Sequence, residues 1–511
     1  MRLDFLFQWG TAFGKEYFWG ELLATLILVS YLLLLFLIFM YGVMQFRLAI
    51  AYRKSKKEEK KGAVVDPNYF PKVTVQIPLF NEMYVAQRAI ENIALLDYPK
   101  DKLQIQILDD STDETKDIVA ATVAKIRSEK EIDIIHIHRV NRVGFKAGAL
   151  DDAMDACKGE FIAIFDVDFL PHADFLKQTI SHFKDDKVGV VQTRWGHLNK
   201  HYSLLTELQA FGLNAHFSVE QVGRNVQGHY INFNGTGGVW RKSCIEDAGG
   251  WQHDTLTEDL DLSYRAQVKG WEFVYLEDVV APAELPITMS ALKSQQHRWM
   301  KGGAECFVKN NALLRKTEGL ERSHRVHGLF HLFNSSVFVV LLLLSLLSLP
   351  LMTIKESFSH FDWVFDVSAI FISSTLFLFY YYWVSYRDKS EQFLPSFLRF
   401  TVRFVQFLTV SAGLSVNNSI AVIEGYMGIK SSFVRTPKFN VALKNEFKGN
   451  KYDKKKMSFP MFLEFFLFIL FGLSTVYHIY TETYAILPFH VMLTLGYGAV
   501  FFYGFSELKR R

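Results

Sequence analysis

The chain is poor in cysteine and almost without net charge. Its three cysteines in 511 residues, Cys157, Cys244 and Cys306, stand far apart and form no C-x-x-C pair. An odd count without that spacing excludes a complete disulfide framework and fits neutral thiols in a reducing compartment. Fifty-six basic residues against 53 acidic ones leave a formal charge of +3, too little for the electrostatic footprint of a nucleic-acid binder. No internal repeat is visible. The first apolar run is too long for a secretory signal and lacks a small-residue cleavage site.

What the chain has in excess is hydrophobic and aromatic residues: half of it is hydrophobic, with 47 Phe and 22 Tyr. Five apolar runs, Leu22–Met44, Leu329–Met352, Trp363–Trp383, Pro460–Tyr480 and Ala485–Phe505, match the roughly 20 residues a bilayer crossing needs. A sixth stretch, 393–423, is interrupted by Arg399 and Arg403 and is read as interfacial or re-entrant, since charge at mid-membrane is costly. Basic residues cluster at Arg47–Lys61, Lys430–Lys456 and Lys509–Arg511, and the side rich in Lys and Arg is cytoplasmic. Five crossings with the N-terminus outside place all three clusters inside. The expected division is a span in 1–45, a cytoplasmic domain in 46–325, two spans in 326–392, interfacial helices and a loop in 393–457, and two spans with a tail in 458–511. Lys54–Lys61 reads as a solvated tether beside anionic lipid.

Within the cytoplasmic segment, short apolar strands alternate with helical stretches. Val73–Ile77, Leu103–Leu108, Ile132–Ile137, Phe161–Phe165, Val188–Gln192 and Phe273–Leu276 are predicted strands, with helices such as Val85–Leu96 and Thr115–Ile126 between them. That order predicts an α/β domain with a mostly parallel sheet, joined to an all-α transmembrane region. Ligands of such sheets bind beyond the carboxyl ends of the strands. There the polar residues collect: Asn81 and Glu82, Asp109 and Asp110, Asp166 and Asp168.

Two carboxylates two positions apart in extended backbone share a face. Asp166-Val167-Asp168 therefore calls for a hard divalent cation, which would also take diphosphate oxygens. The stretch Asn141–Leu150 brings glycines and two cations to a helix start, where phosphates are favoured; Lys146 is the candidate diphosphate contact. Asp259, in Thr257-Glu258-Asp259, opens an amphipathic helix. It is either a cap or a general base for an acceptor hydroxyl, with Glu258 beside it. Gln295, Arg298 and Trp299 stand at i, i+3 and i+4 and share one helical face. Asn234 and Gly235 belong to a polar loop whose glycine permits close approach of backbone to a ligand. Together these residues describe an enzyme that moves a sugar from a nucleotide donor.

In this order the motifs resemble the inverting glycosyltransferases of family 2, in the processive branch that includes cellulose and hyaluronan synthases. The match is closest to the plant cellulose synthase-like A and C proteins. The resemblance rests on Gln76–Glu82, Leu108–Asp113, Gly144–Leu150, Phe233–Thr236 and Gln295–Trp299. It implies a nucleotide-diphospho-sugar transferase domain, Rossmann-like and of GT-A type. On the donor side it implies Pro78, Phe80, Asn81, Glu82 and Asp110, with Asp109 beside Asp110, and Lys146. Asp166 and Asp168 would hold the diphosphate through Mg2+ or Mn2+, with Arg298 on the same group. Asp259 would be the base, and Asn234, Gly235, Glu258, Gln295 and Trp299 would border the acceptor. Phe433, Thr436 and Lys438 match three positions of the family's gating loop, while Arg435 departs from it. The implied reaction polymerises hexoses from GDP-mannose or UDP-glucose into a β-1,4-linked mannan, glucomannan or glucan and passes the chain through the membrane. Transfer of one hexose to a lipid, as in ceramide glucosyltransferase, is the alternative. Nucleotide sugar, glycan or lipid acceptor and membrane lipid are the expected partners; nucleic acid is not, and no accessory export partner is named.

Overall fold

Val73–Leu79 (β1) and Leu103–Asp109 (β2) are buried at every position, as strands covered on both faces must be. Their neighbours are Asp133–His138 (β3) and Phe161–Ile164 (β4). β3, β2, β1 and β4 lie side by side and all pair in parallel. The helices between them, Ala86–Ile93 (α1), Thr115–Lys130 (α2) and Phe145–Asp152 (α3), are the crossovers such pairing requires. α1 buries Ala86, Ala89, Ile90 and Ile93, one apolar stripe at helical spacing. The sheet continues through Val188–His197 (β5), Gly238–Arg241 (β6) and Glu272–Ala283 (β7), in the order β3-β2-β1-β4-β6-β5-β7. β6 runs antiparallel to both β4 and β5, and β7 pairs in parallel with β5. Glu258–Val268 (α4) and Met289–Lys316 (α5) complete the parts that form the site.

The computed structural model describes residues 18–58, 65–388, 390–431, 438, 440 and 457–509. It divides into a catalytic unit, Ile50–Ser335 with Ala421–Lys454, and a helical unit, Met1–Ala49, Ser336–Ile420 and Lys455–Arg511. The mostly parallel sheet is as expected. β6 is an addition, following the polar loop and matched by no predicted strand, and β5 and β7 extend well beyond the predicted strands. All three cysteines are buried and unpaired.

Among the described residues, six helices are long and apolar enough to cross a membrane: Trp19–Ser55, Arg322–Ser348, Ser359–Tyr386, Phe393–Gly413 (α6), Phe459–Tyr480 (α7) and Leu487–Lys509 (α8). α6 is the arginine-bearing stretch expected at the interface. Small residues set the packing in the helical unit. A Cβ on Gly413 would lie 2.2 Å from the Gly496 carbonyl oxygen, and one on Gly496 2.3 Å from that of Thr409, so α6 and α8 touch backbone to backbone. Ser348 and Ser474 each place a hydroxyl 2.9 Å from the ring of buried His490.

Candidate active site

The carboxyl ends of β1, β2 and β4 open onto one cavity, walled also by β5, the loop before β6, and the starts of α3, α4 and α5. Asp166 follows β4, and its backbone N–H donates to Thr236 Oγ1 at 2.8 Å. Its Oδ1 accepts from Lys146 Nζ at 2.6 Å, and that ammonium also donates to the Gly235 carbonyl at 2.8 Å. Asp168 Oδ2 accepts from Lys438 Nζ at 2.6 Å. Each carboxylate of the D-x-D thus holds an ammonium group, and both lysines line the cavity. Burial would depress the Lys146 ammonium, but the charges of Asp166, Glu258 and Asp259 outweigh it and hold its pKa above the ordinary value. Lys146 reaches this place because Gly144 and Phe145 take left-handed backbone, φ 74° and 50°. The glycines permit it: a Cβ on Gly148 would lie 2.1 Å from the Val143 carbonyl oxygen.

Asp259 stands in the first turn of α4. Burial, and then the neighbouring Glu258, push its carboxyl up to about 7, with Lys146 opposing. Glu258 is raised by burial as well. Gly235 faces both the base candidate and the lysine: at φ +77°, a Cβ there would lie 3.0 Å from Asp259 Oδ2 and 3.5 Å from Lys146 Nζ. Asn234 lines the cavity, with its Oδ1 accepting from Asn232 Nδ2 at 2.8 Å.

Thr288 caps α5, accepting from the Ala291 N–H at 3.2 Å. Gln295, Arg298 and Trp299 present one face of α5 to the cavity. One turn on, Gly302 meets the T-E-D turn; a Cβ there would be 2.5 Å from Thr257 Cγ2. Trp299 lies 6.4 Å, ring to ring, from Trp195, which packs at 5.2 Å on Phe169 and 4.8 Å on Phe217. His197, also on β5, is kept neutral by burial, which lowers its pKa to about 4.

Pro78, Phe80, Glu82 and Asp110 also line the cavity. Asp110 is gripped by Arg139 through two bonds, Nε to Oδ1 at 2.8 Å and Nη2 to Oδ2 at 2.7 Å. Asn81 and Asp109, expected on the donor side, are not among the lining residues. Asn81 has left-handed backbone, φ 52°, and ties two turns together: its N–H donates to Ser111 Oγ at 2.8 Å and its Oδ1 accepts from the Thr112 N–H at 2.9 Å. Asp109 is the last residue of β2, so its side chain takes the other face from Asp110. Its carboxylate lies 2.9 Å from His136 Nε2 and 3.6 Å from His138 Nδ1. These three offer ligand atoms within 4.8 Å of one another; burial raises the Asp109 carboxyl, and bonds from His136 and Ser111 hold it below its usual range all the same.

Of the gating-loop positions, Phe433 and Thr436 lie outside the described residues; Lys438 is in the site. Sequence reasoning missed Arg139 and Trp195, and it named Thr236 and Thr257 within their motifs without giving either a role. Arg139 carried a signal in its place directly after β3, on the edge where the other strands put their ligands.

Residues 71–302 match the family described as Glycosyltransferase like family 2. That segment resembles a family 2 glycosyltransferase domain. The chain is 43% identical over 269 residues to "Probable glucomannan 4-beta-mannosyltransferase 4" of Oryza sativa subsp. japonica. That match covers 52% of this chain and 49% of the relative, so the chain spans about half the length of the curated relative. The mannosyltransferase PcManGT from Pyrobaculum calidifontis, solved in complex with GDP-Man and Mn2+, superposes with a TM-score of 0.53. It is 19% identical, over 79% of this chain and 100% of that one, and shares the GT-A fold.

Proposed function

We propose that this chain is a membrane-embedded, inverting hexosyltransferase that extends a β-1,4-linked glycan from a nucleotide sugar. The observation that carries it is the contrast of carboxylates in one cavity. Asp166 and Asp168 are ion-paired with ammonium groups, while Asp259, buried beside Glu258, titrates near 7. Carboxyl groups whose surroundings differ in this way mark separate charge-holding and proton-transfer roles.

Asp259 takes the proton of the acceptor hydroxyl as its oxygen attacks the anomeric carbon, on the side away from the departing diphosphate, so the configuration inverts. Gly235, without a side chain, leaves room between Asp259 and Lys146 for the reacting atoms. Lys146 and Arg298 hold the diphosphate's negative charge. Trp299 and Trp195 offer aromatic faces to the acceptor sugar. Asp166 and Asp168 fit a hard divalent cation: they offer only oxygen, and each already attracts a positive group. Mg2+ or Mn2+ bound there would neutralise charge on the leaving nucleoside diphosphate. The relative's name favours a mannosyl donor and a β-1,4 bond.

Contacts inside the catalytic unit support the membrane reading. Lys301 Nζ lies 3.2 Å from Glu424 and 2.9 Å from Ser431, and Lys438 sits on Asp168. Glu424, Ser431 and Lys438 therefore pack within the catalytic unit. If Arg322–Ser348 and Ser359–Tyr386 both cross, the chain is back on the side of the catalytic unit before α6, which supports reading α6 as lying along the membrane rather than through it. On that reading the chain would cross five times, with the catalytic unit and the basic clusters in the cytoplasm and the N-terminus outside. The growing glycan would leave through the helical unit.

The test is product formation by the purified chain in nanodiscs with Mg2+ or Mn2+, given radiolabelled GDP-mannose or UDP-glucose. An insoluble product cut by a β-1,4-mannanase or glucanase, and absent with Asp259→Asn, is the expected result. Label partitioning into lipid would establish the lipid acceptor instead. No transfer from either donor would overturn the reading.

A further inference from the structure

The sheet carries, away from the cavity, a cluster that the proposed reaction does not use. Parallel pairing of β2 and β3 sets Asp109 beside His138 and Ile107 beside His136. Residues two apart on a strand share a face, so both imidazoles and the Asp109 carboxylate stand on one face. On that face Ile105, Ile107 and Ile134 belong to the same core as Val119, Val123 and Ile126 of α2. None of the three polar residues lines the cavity, whereas Leu108 and Asp110, the chain neighbours of Asp109, do.

The cluster is built like a cation site. The Asp109 side chain is fully buried, and a buried carboxylate is ordinarily paired with a charge or bound to a metal. Its Oδ1 accepts from the Ser111 N–H at 2.8 Å. That bond orients the carboxylate and leaves Oδ2 to the histidines, with His136 Nε2 at 2.9 Å and His138 Nδ1 at 3.6 Å. His138 Nδ1 is buried and, among the described residues, makes no hydrogen bond. All three ligand atoms lie within 4.8 Å of one another, so small side-chain rotations suffice to set each at about 2.0–2.2 Å from one ion, as zinc requires of imidazole and carboxylate. β3 is the edge strand, and His136 and His138 are 16% and 24% exposed. An ion therefore has a path from solvent and room for water as a fourth ligand.

We infer that Asp109, His136 and His138 form a second metal site, one for Zn2+, that pins the edge strand β3 to β2. Two imidazoles and a carboxylate suit zinc better than Mg2+ or Ca2+, whereas the all-oxygen D-x-D suits the harder ions. The ligands are also the chain neighbours of Asp110 and Arg139, and the Arg139 N–H donates to the Asp109 carbonyl at 2.9 Å. Zinc here would brace the two strand ends that carry that ion pair. The inference stands apart from the sugar-transfer reading, and its test needs no donor or acceptor.

The experiment uses the full chain in nanodiscs, without a polyhistidine tag, stripped with chelator and titrated with Zn2+ in excess Mg2+. Asp166→Asn with Asp168→Asn removes the other candidate metal ligands. That double variant is expected to keep one Zn2+ per chain, and X-ray absorption at the zinc edge should show two imidazole nitrogens at about 2.0–2.1 Å. In the same background, His136→Gln and His138→Gln should each weaken Zn2+ binding at least roughly tenfold, since losing even an outer partner of a metal ligand costs that much. Zn2+ should also raise the unfolding temperature of the double variant, because an ion that binds only the folded chain stabilises it, and should not raise that of the histidine variants. A double variant that retains no Zn2+ overturns the site, as does zinc bound without imidazole or held equally well after either histidine is replaced. Should the histidine variants fail to fold, the absorption spectrum and thermal shift of the double variant decide by themselves.

Discussion

The catalytic unit and the helical unit bury polar groups in different ways. In the catalytic unit charge is paired with charge. Glu220 and Arg224 meet at 2.9 Å with side chains 6% exposed each, and Asp110 meets Arg139 at 2.7 Å. In the helical unit, Ser348 and Ser474 flank His490, Ser415 meets Tyr497 at 3.0 Å, and glycines bring α6 and α8 into backbone contact. A sheet whose strand ends converge can gather charges and keep them matched, which chemistry requires. Packed helices get their fit from small side chains, so crowding rather than lost charge should break them.

The sharpest test of that contrast removes one charge from the site. Asp259→Asn should lower sugar transfer by roughly 10²–10⁴-fold, the usual contribution of a general base, while circular dichroism shows an intact fold. Next comes a charge pair away from the reacting atoms. Arg224→Met leaves Glu220 buried without its main partner and should cost about 3–5 kcal/mol, read as a drop in unfolding temperature in nanodiscs. In the helical unit, Gly413→Ala adds no charge and one methyl, yet it meets backbone. Overpacking of this kind costs about 1–3 kcal/mol, and a melt unchanged from wild type would contradict the backbone contact.

The smallest effect is in pH. As the proposed base, Asp259 would work only when deprotonated, and burial and Glu258 push its carboxyl up to about 7, so kcat/KM should climb as pH rises through 7 and level off above it. Glu258 is one of the charges that raise it, so Glu258→Gln should move that limb to lower pH. A limb unmoved by the substitution would assign the titration to another group.

Much of the catalytic unit was legible because strand periodicity and strand-end carboxylates report on the same surface. Asp110, Asp166, Asp168, Asp259, Lys146 and the α5 face all line the expected cavity. β6 was not legible: it has four residues and follows Asn234-Gly235-Thr236-Gly237, so its glycines outweighed Val239 and Trp240. Asn81 and Asp109 were assigned to the site by their neighbourhood, but a left-handed turn redirects the first and strand alternation turns the second toward His136. Trp195 escaped notice because only the first half of β5 is fully buried, and the half that carries Trp195 is visible as strand only through its pairing with β7. Lys438 was reachable only by resemblance, since Asp168, its partner, lies 270 positions away.

The contact between Gly302 and Thr257 has a consequence for how this enzyme changes over time. Thr257 cannot step aside, because its hydroxyl lies 3.3 Å from the buried Cys306 thiol on the next turn of the same helix. The T-E-D turn and the Q-x-x-R-W helix are thus keyed to each other through a missing side chain. They should be inherited as one part: a chimera that imports either segment alone from a relative with a bulkier residue at this contact must repack both, whereas one that imports residues 257–306 together carries lock and key at once.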